Sequence, residues 1–152
     1  MKLAEALMLR ADYQRRIGHL KQRLLRNAKV QEGDEPGEIP AVLLEEIERV
    51  CRDLAQLIQR INATNSRTEL VNRTTLSDAI ATRDVLRIKT DIYAELAKAA
   101  TVTQDRYSKS EVKFRSTVNI ADMQNRADAL AKEQREIDAR IQEANWRTDL
   151  QE

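Results

Sequence analysis

A chain of 152 residues that is 34% charged and 3% aromatic, with three glycines and two prolines, has the makeup of long amphipathic helices and lacks the turn residues and aromatics on which sheets draw. Its 26 basic and 25 acidic residues nearly cancel, so no global field pulls it toward nucleic acid or an anionic membrane. One cysteine excludes an intramolecular disulfide, and no run approaches the roughly 20 apolar residues of a membrane span. Glu5 and Arg10 interrupt the first apolar run before it reaches signal-peptide length, which makes the cytosol the expected location.

The first helix is expected over about 2–30, where Leu3, Ala6, Tyr13, Ile17, Leu20 and Leu24 hold a heptad seam interrupted by Arg10. Leu7, Leu9 and Leu25 lie off that seam and widen the apolar face toward a second neighbour. Residues 31–39 form an acidic, Gly- and Pro-containing linker, and Pro40 suits the first turn of a second helix, 40–63. In that helix Leu43, Ile47, Val50, Leu54, Leu57 and Ile61 advance in steps of four and three, as one stripe buried against a partner helix requires. Leu44, Cys51 and Ile58 repeat at seven residues and read as a further buried edge, with Cys51 packed as a small hydrophobe.

A polar connection, Asn62–Ser77, separates this helix from a third over 76–101, opened by Thr75 and Asp78 in a capping arrangement and carrying Val85, Ile88, Ile92, Leu96 and Ala99 as its seam. Val112, Phe114, Ser116 and Val118 alternate with polar residues at a period of two, so a short strand is expected there, with 68–74 as a partner in a small ribbon. Asn119 and Asp122 then open a fourth helix, 119–146, whose seam is Ile120, Met123, Ala127, Leu130, Ile137, Ile141 and Ala144. Gln134 occupies the remaining seam position and is expected to be buried. The expected architecture is a single all-α domain, 1–152, of long antiparallel helical hairpins in a four-helix, coiled-coil-like bundle, with room for the two-stranded ribbon.

Few constellations carry chemistry. Residues 2–29 hold eight basic side chains against two acidic ones, and the acidic excess lies in 119–152. A basic stripe can follow a phosphate backbone, but with no aromatic interleaving the favoured reading pairs the first helix with the fourth or with a neighbouring subunit. Glu45 with Glu48, and Glu133 with Glu136, sit three apart and could bridge a metal, yet Arg49, Arg52, Lys132 and Arg135 beside them would neutralise such a site. His19 is the sole histidine, which excludes a ferritin-like di-iron site, and Cys51 has no histidine near it in sequence to activate it. No metal or cofactor is expected. The least generic segment is the connection: Asn62, Asn65, Arg67, Asn72 and Arg73, ahead of a helix N-terminus, form a candidate anion site, with turn and cap chemistry as the plainer reading. Asn62-Ala63-Thr64 and Asn72-Arg73-Thr74 match glycosylation acceptors, which mean little without a secretory signal.

Met1-Lys2-Leu3-Ala4-Glu5-Ala6-Leu7 with Arg10-Ala11-Asp12, Ile61-Asn62-Ala63-Thr64-Asn65, Arg83-Asp84-Val85-Leu86 with Lys89, Arg106-Tyr107-Ser108-Lys109-Ser110-Glu111-Val112-Lys113-Phe114 and Ile141-Gln142-Glu143-Ala144-Asn145-Trp146 occur in that order. Together they resemble a bacterial family of unknown function, some members of which carry the label septicolysin. The resemblance spans nearly the whole chain and implies a helical, self-associating protein with no established activity, hence no catalytic residues to transfer. The expected function is therefore a homo-oligomeric helical scaffold or binding module, with itself as partner and neither membrane nor nucleic acid. The competing reading is a nucleotide or nucleic-acid binding protein or enzyme using the Asn62–Ser77 connection or the paired glutamates.

Overall fold

The structure, a computed structural model, describes residues 1–102 and 112–152. Arg106–Glu111 of the family-like peptides therefore lie outside the described residues. Four helices account for most of the chain: α1 (Leu3–Arg26), α2 (Pro40–Arg67), α3 (Leu76–Ala100) and α4 (Ile120–Arg147). They fall into two compact units, residues 1–76 with 142–152 and residues 77–141.

In the first unit α1 and α2 run antiparallel, as the pairing of Arg16 with Glu46 and of Arg23 with Glu38 shows. Leu20, Leu43 and Val50 are buried between them, with Tyr13, Ile17, Leu24 and Ile47 packed around the cluster. Both expected seams face inward, and each aliphatic side chain so buried contributes about 1.5–3 kcal/mol. The additional rows do so only in part, with Leu7, Leu9 and Ile58 half-buried. Leu25 and Leu44 are exposed, and so is Cys51, which is not packed in an apolar edge. The reason is angular: a row one residue off the seam is turned about 100° away from it, and a single antiparallel partner cannot reach that far round the helix.

Helix ends depart from the periodicity where side chains bond to backbone. Asn27 stops α1 at Arg26, short of the expected 30, because its backbone N–H reaches the carbonyls of Arg23 and Leu24 while its side-chain amide donates to the Arg23 carbonyl at 2.9 Å. Its Oδ1 also accepts the Glu38 N–H at 3.1 Å, pinning the linker. Gly33, at φ 91°, makes the turn in which the Asp34 N–H donates to the Gln31 carbonyl. At the far end α2 continues to Arg67, past the expected 63, since Thr64 and Ser66 donate their hydroxyls to carbonyls four residues back at 2.8 and 2.9 Å and so fit inside a helix, while Thr68 makes the same bond from the capping position. No strand forms among the described residues; Glu69 bridges locally to Thr75, around a turn with Asn72 and Arg73 both left-handed at φ 64° and 61°.

In the second unit α3 and α4 run antiparallel, with Arg83 donating to Asp138 at 3.1 Å and a shallow groove between Ala94, Ala97 and Lys98 on one helix and Gln124, Ala127 and Asp128 on the other. Asn119 Oδ1 accepts the Asp122 N–H and opens α4, which buries Ala127, Leu130 and Ile141 as its seam requires. Gln134 is half-buried at its seam position. On α3 the phase differs from the expected one. The covered row is Ala79, Arg83, Leu86, Thr90, Tyr93, Ala97 and Ala100, of which Ala79, Leu86 and Ala97 are fully buried. Val85, Ile88, Ile92 and Leu96 lie about 120° further round and face solvent. Alanines at 79, 97 and 100 allow close approach along this row, and Thr90 satisfies its own hydroxyl on the Leu86 carbonyl at 2.8 Å.

Candidate functional site

Of the five anion-site candidates, Asn62, Asn65 and Arg67 stand on the last turns of α2, and Asn72 with Arg73 forms the left-handed turn beyond it. Arg67 is directed at the C-terminal segment, donating to Gln151 Oε1 at 2.6 Å. Arg60, a residue that sequence reasoning passed over, donates its Nε–H to the Gln151 carbonyl at 2.9 Å. The Gln151 N–H in turn donates to the hydroxyl of Thr64, which is fully buried. Arg73 is exposed, and among the described residues no hydrogen bond joins it to the other four. The structure thus gathers Arg60, Thr64 and Arg67 around Gln151 and leaves Asn72 and Arg73 apart as a turn.

The same segment closes on the N-terminus. Leu3 N–H donates to the Thr148 carbonyl and Leu150 N–H to the Met1 carbonyl, each at 2.9 Å, so Lys2 and Asp149 face one another in an antiparallel bridge. Lys2 Nζ lies 2.8 Å from Asp149 and 3.2 Å from the Arg147 carbonyl, near a helix C-terminus where a cation is favoured. The hydrogen bond from Lys2, with its charge, holds the Asp149 carboxyl below the usual carboxylate range. Among the described residues no buried side-chain nitrogen or oxygen lacks a partner, so this clasp is internally satisfied. Lys2 and Gln151 were not distinguishable in the sequence; no periodic or motif signal marks a pairing between chain ends.

The acidic pairs do not assemble into a metal centre. Glu45 and Glu48 are exposed on α2 beside Arg49 and Arg52 in an open depression that includes Val42 and Leu44, and Glu133 and Glu136 are exposed on α4. Among the described residues no group of three or more His, Cys, Asp or Glu side chains could hold a metal ion. Two of the basic side chains of α1 pair with α2 and the linker, besides the pairing of Lys2 with Asp149. Arg16 lies 2.6 Å from Glu46, and Arg23 donates its Nε–H to Glu38 at 3.0 Å. These hydrogen bonds keep both carboxyls below their ordinary titration range, opposed in part by desolvation.

What remains unaccounted for is apolar. Val85, Ile88 and Ile92 on α3 are each more than half exposed, at 54%, 59% and 57%, and Leu96 at 38% continues the row. Four large aliphatic side chains in one stripe differ from the scattered exposed apolar residues common on soluble surfaces.

Fold and surfaces together define an all-α protein of antiparallel helical hairpins whose exposed features are helix faces. Residues 10–150 match the model of a family of unknown function, DUF6847, and the chain belongs to that family. It is 47% identical to a functionally unknown conserved protein from Corynebacterium diphtheriae, whose crystal structure superposes with a TM-score of 0.94 over 99% of each chain. No curated protein matches.

Proposed function

We propose that this protein is a homo-oligomeric helical scaffold or binding module whose contacts are made by helix faces. The observation that supports this reading is the solvent-facing aliphatic row of α3, which carries the seam spacing of a helix interface without a covering helix in its own unit. The depression beside Glu45 and Glu48 is open, the paired glutamates are flanked by arginine or lysine, and no helix among the described residues is long and apolar enough to cross a membrane. Light scattering on the purified chain at micromolar concentration should give a mass well above the 17.5 kDa of one copy. A monomeric mass across that range overturns the proposal.

A further inference from the structure

We propose that the occupant of the α3 row is a second copy of this chain, docked with its own α3 parallel and in register. This rests on the homo-oligomer reading and assigns it a surface. Val85, Ile88, Ile92 and Leu96 follow steps of three, four and four residues and so form one stripe along the helix. Burial of such a stripe is the ordinary driving force for helix pairing in water.

The charges flanking the stripe select the partner and its direction. One edge carries Asp84, Asp91 and Glu95, joined by Lys98 near its end and bordered on its outer side by Arg87; the opposite edge carries Lys89. Parallel helices related by a two-fold axis set unlike edges together, so Asp84 falls opposite the partner's Lys89, and the symmetry makes that contact twice. Antiparallel pairing would bring like edges together, acidic against acidic and Lys89 against its own counterpart. The surface is thus complementary to itself in the parallel sense. Arg83 already orders the Asp84 carboxylate, donating from Nε at 3.0 Å and Nη2 at 2.9 Å, while leaving it half exposed for a second cation.

The test uses the full chain by sedimentation and light scattering over a dilution series. Ile88→Asp/Ile92→Asp should raise the dissociation constant of the assembly by roughly 100-fold or more, because two charges would be buried at its centre. Both positions are exposed within the chain, so the helical circular-dichroism spectrum should be unchanged. Asp84→Lys and Lys89→Asp should each weaken assembly alone, and mixing the two variants should restore it as a heterodimer. In a Cys51→Ser background, Ile88→Cys should oxidise to a covalent dimer, since parallel in-register pairing sets position 88 against itself. An assembled wild type whose mass survives the double aspartate change overturns this inference while leaving the scaffold reading intact. Loss of assembly without rescue in the mixture, or no covalent dimer, overturns the parallel pairing. A monomeric wild type defeats both proposals.

Discussion

The aliphatic rows of α2 and α3 have similar spacing and opposite surroundings. Leu43, Val50, Leu57 and Ile61 are almost wholly buried, whereas Val85, Ile88 and Ile92 are more than half exposed. The difference lies in what stands beside each helix. The α2 row meets the α1 row, reinforced by Arg16–Glu46 and Arg23–Glu38 along one margin. On α3 the covered face mixes small and large side chains, Ala79 and Ala97 with Leu86 and Tyr93, and the uniformly aliphatic row is left outside. Period and hydrophobicity therefore mark a face that wants covering without deciding which face the chain's own helices cover.

The largest expected effects test that contrast directly. Leu20→Ala, in the α1–α2 core, should cost about 2–5 kcal/mol in urea denaturation, the usual range for a cavity-forming truncation. Ile92→Ala, measured at submicromolar concentration where assembly is dissociated, should change stability by no more than about 0.5 kcal/mol. Equal losses at the two sites would erase the distinction.

Next in size is the clasp of the first unit. Thr64→Val keeps the shape but removes the acceptor of the Gln151 N–H, and should cost about 1–3 kcal/mol with accelerated proteolysis near the C-terminal end. Full retention of stability would mean that the clasp only decorates a unit held by α1 and α2.

A stabilising change should sharpen the picture further. Arg73 occupies a left-handed conformation that glycine adopts without strain, so Arg73→Gly should raise stability by up to about 1 kcal/mol in thermal or urea melts. A loss would instead show that the arginine side chain supports the turn.

The smallest effect concerns acid. Glu38, Glu46 and Asp149 titrate below their ordinary range because Arg23, Arg16 and Lys2 hydrogen-bond them, so their contribution is present at neutral pH and is lost as pH falls through the folded pKa. Between about pH 5 and pH 2 the first unit should soften gradually, and added salt at neutral pH should reproduce part of the change. A melting temperature flat over that interval would count against these pairs.

Much of this fold is written in residue spacing. The seams of α1, α2 and α4 could be read because each has one dominant apolar row whose phase burial then fixes, and Pro40 and Asn119 mark starts that the structure uses. The phase of α3 could not be read the same way. Its covered row mixes Ala79, Arg83, Thr90 and Tyr93 and so has little apolar contrast, while the exposed row of Val85 and Ile88 stands out. The end of α2 was missed because Thr64, Ser66 and Thr68 look like turn formers until their hydroxyls are seen bonded within the helix. Arg67 was legible as a guanidinium in a polar segment; its partner Gln151 was not, since nothing in local sequence ties two residues so far apart.

That separation has a kinetic meaning. Lys2 meets the Arg147 carbonyl across 145 positions, so closing this contact before the helices have docked would carry a large loop-closure entropy. The clasp should therefore be absent from the folding transition state and form last. Substitutions at Lys2, Thr64 or Gln151 would then speed unfolding while leaving the refolding rate almost untouched, which makes the junction of the two ends a latch on the lifetime of the native state rather than a guide to reaching it.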